Sequence, residues 1–184
     1  MAAFQKLDWT RFDVWAVVAG EGVAVVELQY REACLRWLRN NDYAVTTFDF
    51  LHGIGPALIS MGEMFRWEEQ FGYALKAESR TLNALRDGFE FGIKPGQGVV
   101  LELLNAEVAH REDPHWFCGL LSIAHEYSRV QLALGAKFFT VLILPRDSTL
   151  VNISYQELSV PYPFSKVNRH ADPFSAPTKS ELEI

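Results

Sequence analysis

Apolar residues along this chain fall into short β-like runs separated by helical stripes, and the two patterns alternate. Val23-Ala24-Val25-Val26, after the turn Gly20-Glu21-Gly22, is a β-branched run that predicts a strand. Tyr30 to Asn40 carries Ala33, Cys34, Trp37 and Leu38 at i, i+1, i+4 and i+5, the apolar stripe of a helix. Asn40-Asn41-Asp42 closes it with residues that tolerate turn conformations. Tyr43 to Phe50 reads as the next strand through Val45, Phe48 and Phe50. Pro56 suits the first turn of a helix that runs to about Gln70, with Ala57, Leu58, Met61, Met64 and Phe65 on its inner face. Phe71-Gly72-Tyr73 breaks that run. A second helix follows from Ser79, a capping residue, to Phe89, with Leu82, Leu85 and Phe89 on one face.

Val99 to Leu104 and Phe138 to Leu144 are nearly continuous apolar runs, the mark of strands covered on both faces. Between them Pro114 to Leu134 predicts a long helix, entered by Glu112-Asp113 and ended by Gly135. His110 to His115 reads as a loop, and the first twenty residues show no clear period. Strands separated by helices imply right-handed crossovers. The expected class is therefore α/β, with a small, mainly parallel sheet of three or four strands packed by helices. Residues 1–42 are expected to form a strand-helix extension packed on the core, and 43–145 the central domain. Proline, serine and charge become frequent over 146–184. There Val151 to Leu158 is a possible edge strand and the remainder an extended or poorly ordered tail.

Composition narrows the function classes. The 184 residues are 49% hydrophobic, enough for a substantial core, and 13% aromatic, enough to leave rings for a surface. A net charge of −6 does not suit binding to a phosphate backbone. A basic partner fits better, and proteins acting on nucleic acid are typically basic. Cys34 and Cys118 lie among apolar neighbours with no C-x-x-C pair, which leaves zinc and dithiol chemistry unsupported. No secretory leader or membrane-spanning run is apparent, so a cytoplasmic protein without membrane partners is expected. No nucleophile elbow, phosphate-binding glycine loop or converging metal-ligand spacing is present, and neither enzyme activity nor a cofactor is expected.

From Tyr43 to Leu144 the chain resembles the barstar family of intracellular ribonuclease inhibitors. Four parts carry the likeness: Phe48-Asp49-Phe50 with Gly53-Ile54; Phe71-Gly72-Tyr73; Leu82-Asn83-Ala84-Leu85-Arg86-Asp87-Gly88-Phe89; and the strand–helix–Gly–strand ending from Val99 through Gly135 to Leu144. The resemblance implies an inhibitor that blocks a basic enzyme cleft with a rigid acidic and aromatic helix surface, its carboxylates standing in for substrate phosphate. It implies that Asp87 enters the partner's phosphate site, and that Phe71 or Tyr73 contacts the partner. Asn83 and Arg86 stand where the family has Asp and Trp, and an insertion separates Tyr73 from Leu82. The resemblance therefore implies an immunity protein whose binding surface is rewritten for another toxin, a nuclease or other basic effector domain. The alternative is a barstar-like interaction module with a non-toxin partner.

Outside the resemblance, Glu63, Glu68 and Glu69 flank Trp67, an aromatic anchor with a charged rim. Phe71 and Tyr73 are expected to split, one packing inward and one exposed. The partner-binding set is thus Trp67, Glu68, Glu69, Phe71, Tyr73, Asn83, Arg86 and Asp87. An enzyme would instead place its site at the carboxyl ends of the strands, where Asp49, His52, Glu107 and His110 are the candidates.

Overall fold

A computed structural model describes residues 11–18, 20–76 and 82–152. Strands β1 (Val23–Glu27), β2 (Tyr43–Asp49), β3 (Gly98–Leu104) and β4 (Lys137–Leu144) form one sheet in the order β1-β4-β3-β2. Every pairing is parallel. The expectation of a small, mainly parallel α/β sheet is borne out, with four strands, and the N-terminal strand β1 is one edge of that same sheet. Seven helices accompany the sheet among the described residues: α1 (Phe12–Val18), α2 (Arg31–Asn40), α3 (Ile54–Met64), α4 (Trp67–Phe71), α5 (Leu82–Gly88), α6 (Ala106–Glu112) and α7 (Pro114–Ala133). None of the described helices is long and apolar enough to cross a membrane.

The step from β1 to β2 crosses the sheet in one direction, and β2 to β3 to β4 returns. Crossovers of one hand must then cover opposite faces. Two separate apolar cores follow. Ala24, Val26, Val100, Phe139, Val141 and Ile143 pack with Phe12 of α1 and Cys34, Leu35 and Leu38 of α2. Val23, Val25, Leu101, Leu103, Phe138 and Leu142 pack with the helices from α3 to α7. Alternate side chains of β3 and β4 thus enter different cores, which explains why both strands read as unbroken apolar runs.

Two buried carboxylates interrupt the core on the α1–α2 face. Glu102 on β3 is matched by Arg31 at the start of α2, with Nε donating to Oε1 at 2.8 Å and Nη2 to Oε2 at 3.0 Å, and by Thr47 Oγ1 at 2.8 Å. Hydrogen bonding to Glu102 raises the Arg31 pKa further. Asp13 of α1 accepts from Arg11, from the Tyr43 hydroxyl at 2.6 Å and from Lys137 Nζ at 2.8 Å. It thereby ties α1 to the first residues of β2 and β4. Burial opposes its charge, but the bonds from Arg11, Lys137 and Tyr43 outweigh burial and hold the carboxyl far below the usual range.

Three local expectations are corrected. The helix expected over 56–70 is two helices, because Arg66 adopts a left-handed conformation with φ 52° and reorients the chain before Trp67. His110 to His115 is the junction of α6 and α7 rather than a loop. Asp113 is extended there and its carboxylate accepts from Trp116 N at 2.9 Å, capping α7 with Pro114 in its first turn. Thr149–Asn152 is a 3₁₀ turn, not the start of a strand; the rest of Val151–Leu158, the tail beyond it and the expected cap Ser79 lie outside the described residues.

Asp13→Asn is expected to cost about 2 kcal/mol in chemical denaturation, since it leaves the buried Tyr43 hydroxyl and Lys137 without a charged acceptor. Because the folded pKa of Asp13 is depressed, its contribution is fully present above the ordinary aspartate value of about 3.9. That contribution is lost as pH falls through this value toward the folded one, so the stability gap between wild type and variant should narrow only on the acid side.

Candidate functional site

The residues expected to bind a partner gather around α4 and α5. Trp67 is 1% exposed, and this corrects its expected role: it is a buried floor, not a contact. Phe71, one turn later, lies on it with ring centroids 4.5 Å apart, and Tyr73 meets it edge-on at 6.3 Å. Both are exposed, at 38% and 48%, so the expected split between an inward and an outward ring does not occur. The inward ring is Trp67. Gly72 makes this possible with a left-handed turn (φ 74°) that ends α4 and sends Tyr73 back beside Phe71. Leu75 then packs against Gly62 of α3, where any larger residue would meet its Cβ at 2.8 Å.

Trp67 also joins α4 to α5. Gly88 lies so close that a Cβ there would stand 2.2 Å from Trp67 Cζ3. Asp87, the preceding residue of α5, is exposed. Glu68 and Glu69 are exposed on α4. Glu69 pairs with Arg66, whereas Glu68 and Asp87 have no ion pair among the described residues. Arg86 bonds Glu126 on α7 at 3.1 Å, bracing α5 against the long helix. Asn83 is exposed on the first turn of α5. The structure thus brings together two exposed rings, their buried support and the exposed Glu68 and Glu69 of the same helix. The pattern Trp-x₃-Phe-Gly-Tyr marked the rings but gave no signal that Gly88 would be their counterpart.

The enzyme candidates do not converge. A cavity of about 180 Å³ does open at the carboxyl ends of β1, β3 and β4. There the connection after β1 leaves toward one face and that after β3 toward the other, the usual ligand crevice of such sheets. It holds Arg31, Asn105 and Glu107 among Leu28, Leu104 and Pro145. Of the four residues expected there, only Glu107 lines it. Asp49 instead accepts from Leu51 N and Asn105 Nδ2 and organises the loop. His110 packs edge-on against Phe117, and His52 is exposed elsewhere. His125 bonds the Glu21 carbonyl. Burial pushes the Cys34 thiol up to about 12, with the Glu102 charge adding to it. That thiol is a poor nucleophile. No family model, curated protein or solved structure matches this chain.

Gly88→Ala is expected to displace Trp67 and cost about 1–3 kcal/mol by overpacking. A shifted tryptophan emission maximum together with a lowered denaturation midpoint would show it, and an unchanged spectrum would place Gly88 away from the ring.

Proposed function

We propose that the chain is a protein-binding inhibitor of the barstar kind, which covers the active cleft of a basic toxin such as a nuclease. The observation that carries this reading is the pair of exposed rings, Phe71 and Tyr73, seated on a buried tryptophan and rimmed by carboxylates. Exposed aromatic rings are costly in water and are common anchors where two proteins meet. Here both rings already rest on the buried Trp67, which limits the side-chain freedom left to lose on binding. Glu68 and Asp87 supply the negative field that steers a basic partner and competes with phosphate for its site. Asn83 and Arg86 occupy the positions at which this surface departs from the family pattern, and they set which toxin it fits. The carboxyl-end crevice supports an enzyme less well, since its one carboxylate, Glu107, lacks the expected acid–base companions.

The test is calorimetric titration against the purified product of the adjacent gene, with that product's own activity followed in parallel. Tyr73→Ala should weaken binding by about 2 kcal/mol, close to thirtyfold, with the fold intact. Asp87→Ala should act chiefly on the association rate and its salt dependence. Tight binding that leaves the product's activity untouched would favour an interaction module over an inhibitor, and no binding by the wild type would remove this partner from the proposal.

A further inference from the structure

The two edges of the sheet differ. The β1 edge is closed: Val23 to Val26 are all buried. Among the described residues the β2 edge is open, with Ala44, Thr47 and Asp49 exposed and Val45 and Thr46 half-buried. Phe50 N donates to Leu104 O, so the even-numbered residues of β2 bond toward β3. The N–H and C=O groups of Tyr43, Val45, Thr47 and Asp49 then point out of the sheet. No described residue bonds to them. Edges are usually blunted by lysine, proline or a bulge. Tyr43 to Asp49 contains neither residue and pairs with β3 residue by residue without a bulge.

We propose that this edge pairs with the same edge of a second copy of the chain, antiparallel about a two-fold axis at Thr46, making one continuous eight-stranded sheet. Charge selects this occupant. Tyr43, Val45 and Thr47 face α2, and with Arg31 and Arg39 they line a cavity of about 230 Å³ at the sheet margin. Asp49 follows on the same face by alternation, and it adds to the field that raises the Arg31 pKa. Arg39 is exposed and has no ion pair among the described residues. One end of the edge therefore carries a cation and the other a carboxylate. Antiparallel pairing about Thr46 sets Asp49 of each copy opposite Tyr43 of the other, beside its Arg39. The outward groups of Tyr43, Val45, Thr47 and Asp49 meet as hydrogen-bonded pairs, and the two Thr46 residues form a cross-strand threonine pair. Such an isologous contact closes at a dimer.

Sedimentation of the full chain at concentrations up to about 1 mM is expected to show a species of twice the 20.9 kDa chain mass. Val45→Pro removes an outward N–H that the β2–β3 ladder does not use, so it should stay folded and sediment as a monomer. Arg39→Asp, which sets two carboxylates together at each end, should weaken the dimer at least about tenfold. Thr46→Cys should form a reducible intermolecular disulfide under mild oxidation, since the facing residues of a non-hydrogen-bonded pair are only about 4.5 Å apart at Cα. The native thiols, one buried and one half-buried, should not cross-link in the parent chain. A chain that stays monomeric over the whole range overturns the proposal. So does a dimer that Thr46→Cys fails to lock, whatever the folding of the proline variant.

Discussion

A single carboxylate side chain, Glu102, sits in the middle of the sheet at 1% exposure, and much of the architecture on one face answers to it. A buried carboxylate is tolerated only when its charge and lone pairs are matched. Arg31 matches it with a two-pronged contact and Thr47 supplies a third bond. These partners come from α2 and β2, so one group fixes the start of that helix against the central strand and the edge strand beside it. The position of Arg31 in turn makes it a wall of both cavities, the carboxyl-end crevice and the margin of the β2 edge. Asp13 plays the matching role at the other end of the sheet, where it binds the first residues of β2 and β4. The two carboxylates thus pin the α1–α2 layer at both ends of the strands, where apolar packing alone would allow the helices to slide.

Long periodic segments were legible in the sequence because burial enforces their period. The strands β1, β3 and β4 and the helices α2 and α7 lie within a residue or two of where the apolar pattern puts them. What the pattern could not supply was short or polar. α6 has only Ala106 and Ala109 buried, too little apolar content to announce seven helical residues. The break at Arg66 depends on a left-handed backbone that nothing in the local sequence demands. Glu102 is the one polar residue in the apolar run Val99 to Leu104, and its partner Arg31 lies 71 residues away. A pair so distant is a consequence of topology, and no local reading reaches it.

The candidate site shows the same division. Its residue types were visible as a cluster of glutamates and rings, but their roles depend on which ring turns inward. Trp67 is the largest of the three aromatics and turns inward, because Gly88 leaves room for the indole against α5. With the floor filled, Phe71 and Tyr73 remain outside. Gly72 allows the chain to double back, and Arg86 braced on Glu126 keeps α5 from drifting away from the tryptophan. The exposed rings are therefore a product of packing below them. A surface built this way keeps its shape before a partner arrives.

The surface around Phe71 and Tyr73 and the open β2 edge share no residue, so the two proposals rest on different side chains. A two-fold axis perpendicular to the sheet preserves its faces. Both copies of the α4–α5 surface would then lie on the same side of the continuous sheet. Two binding surfaces held rigidly side by side raise the effective concentration of each for a partner that is itself dimeric, and add little for a monomeric one. Pairing at the edge would in this way tune selectivity by the partner's oligomeric state without altering a single contact at the rings.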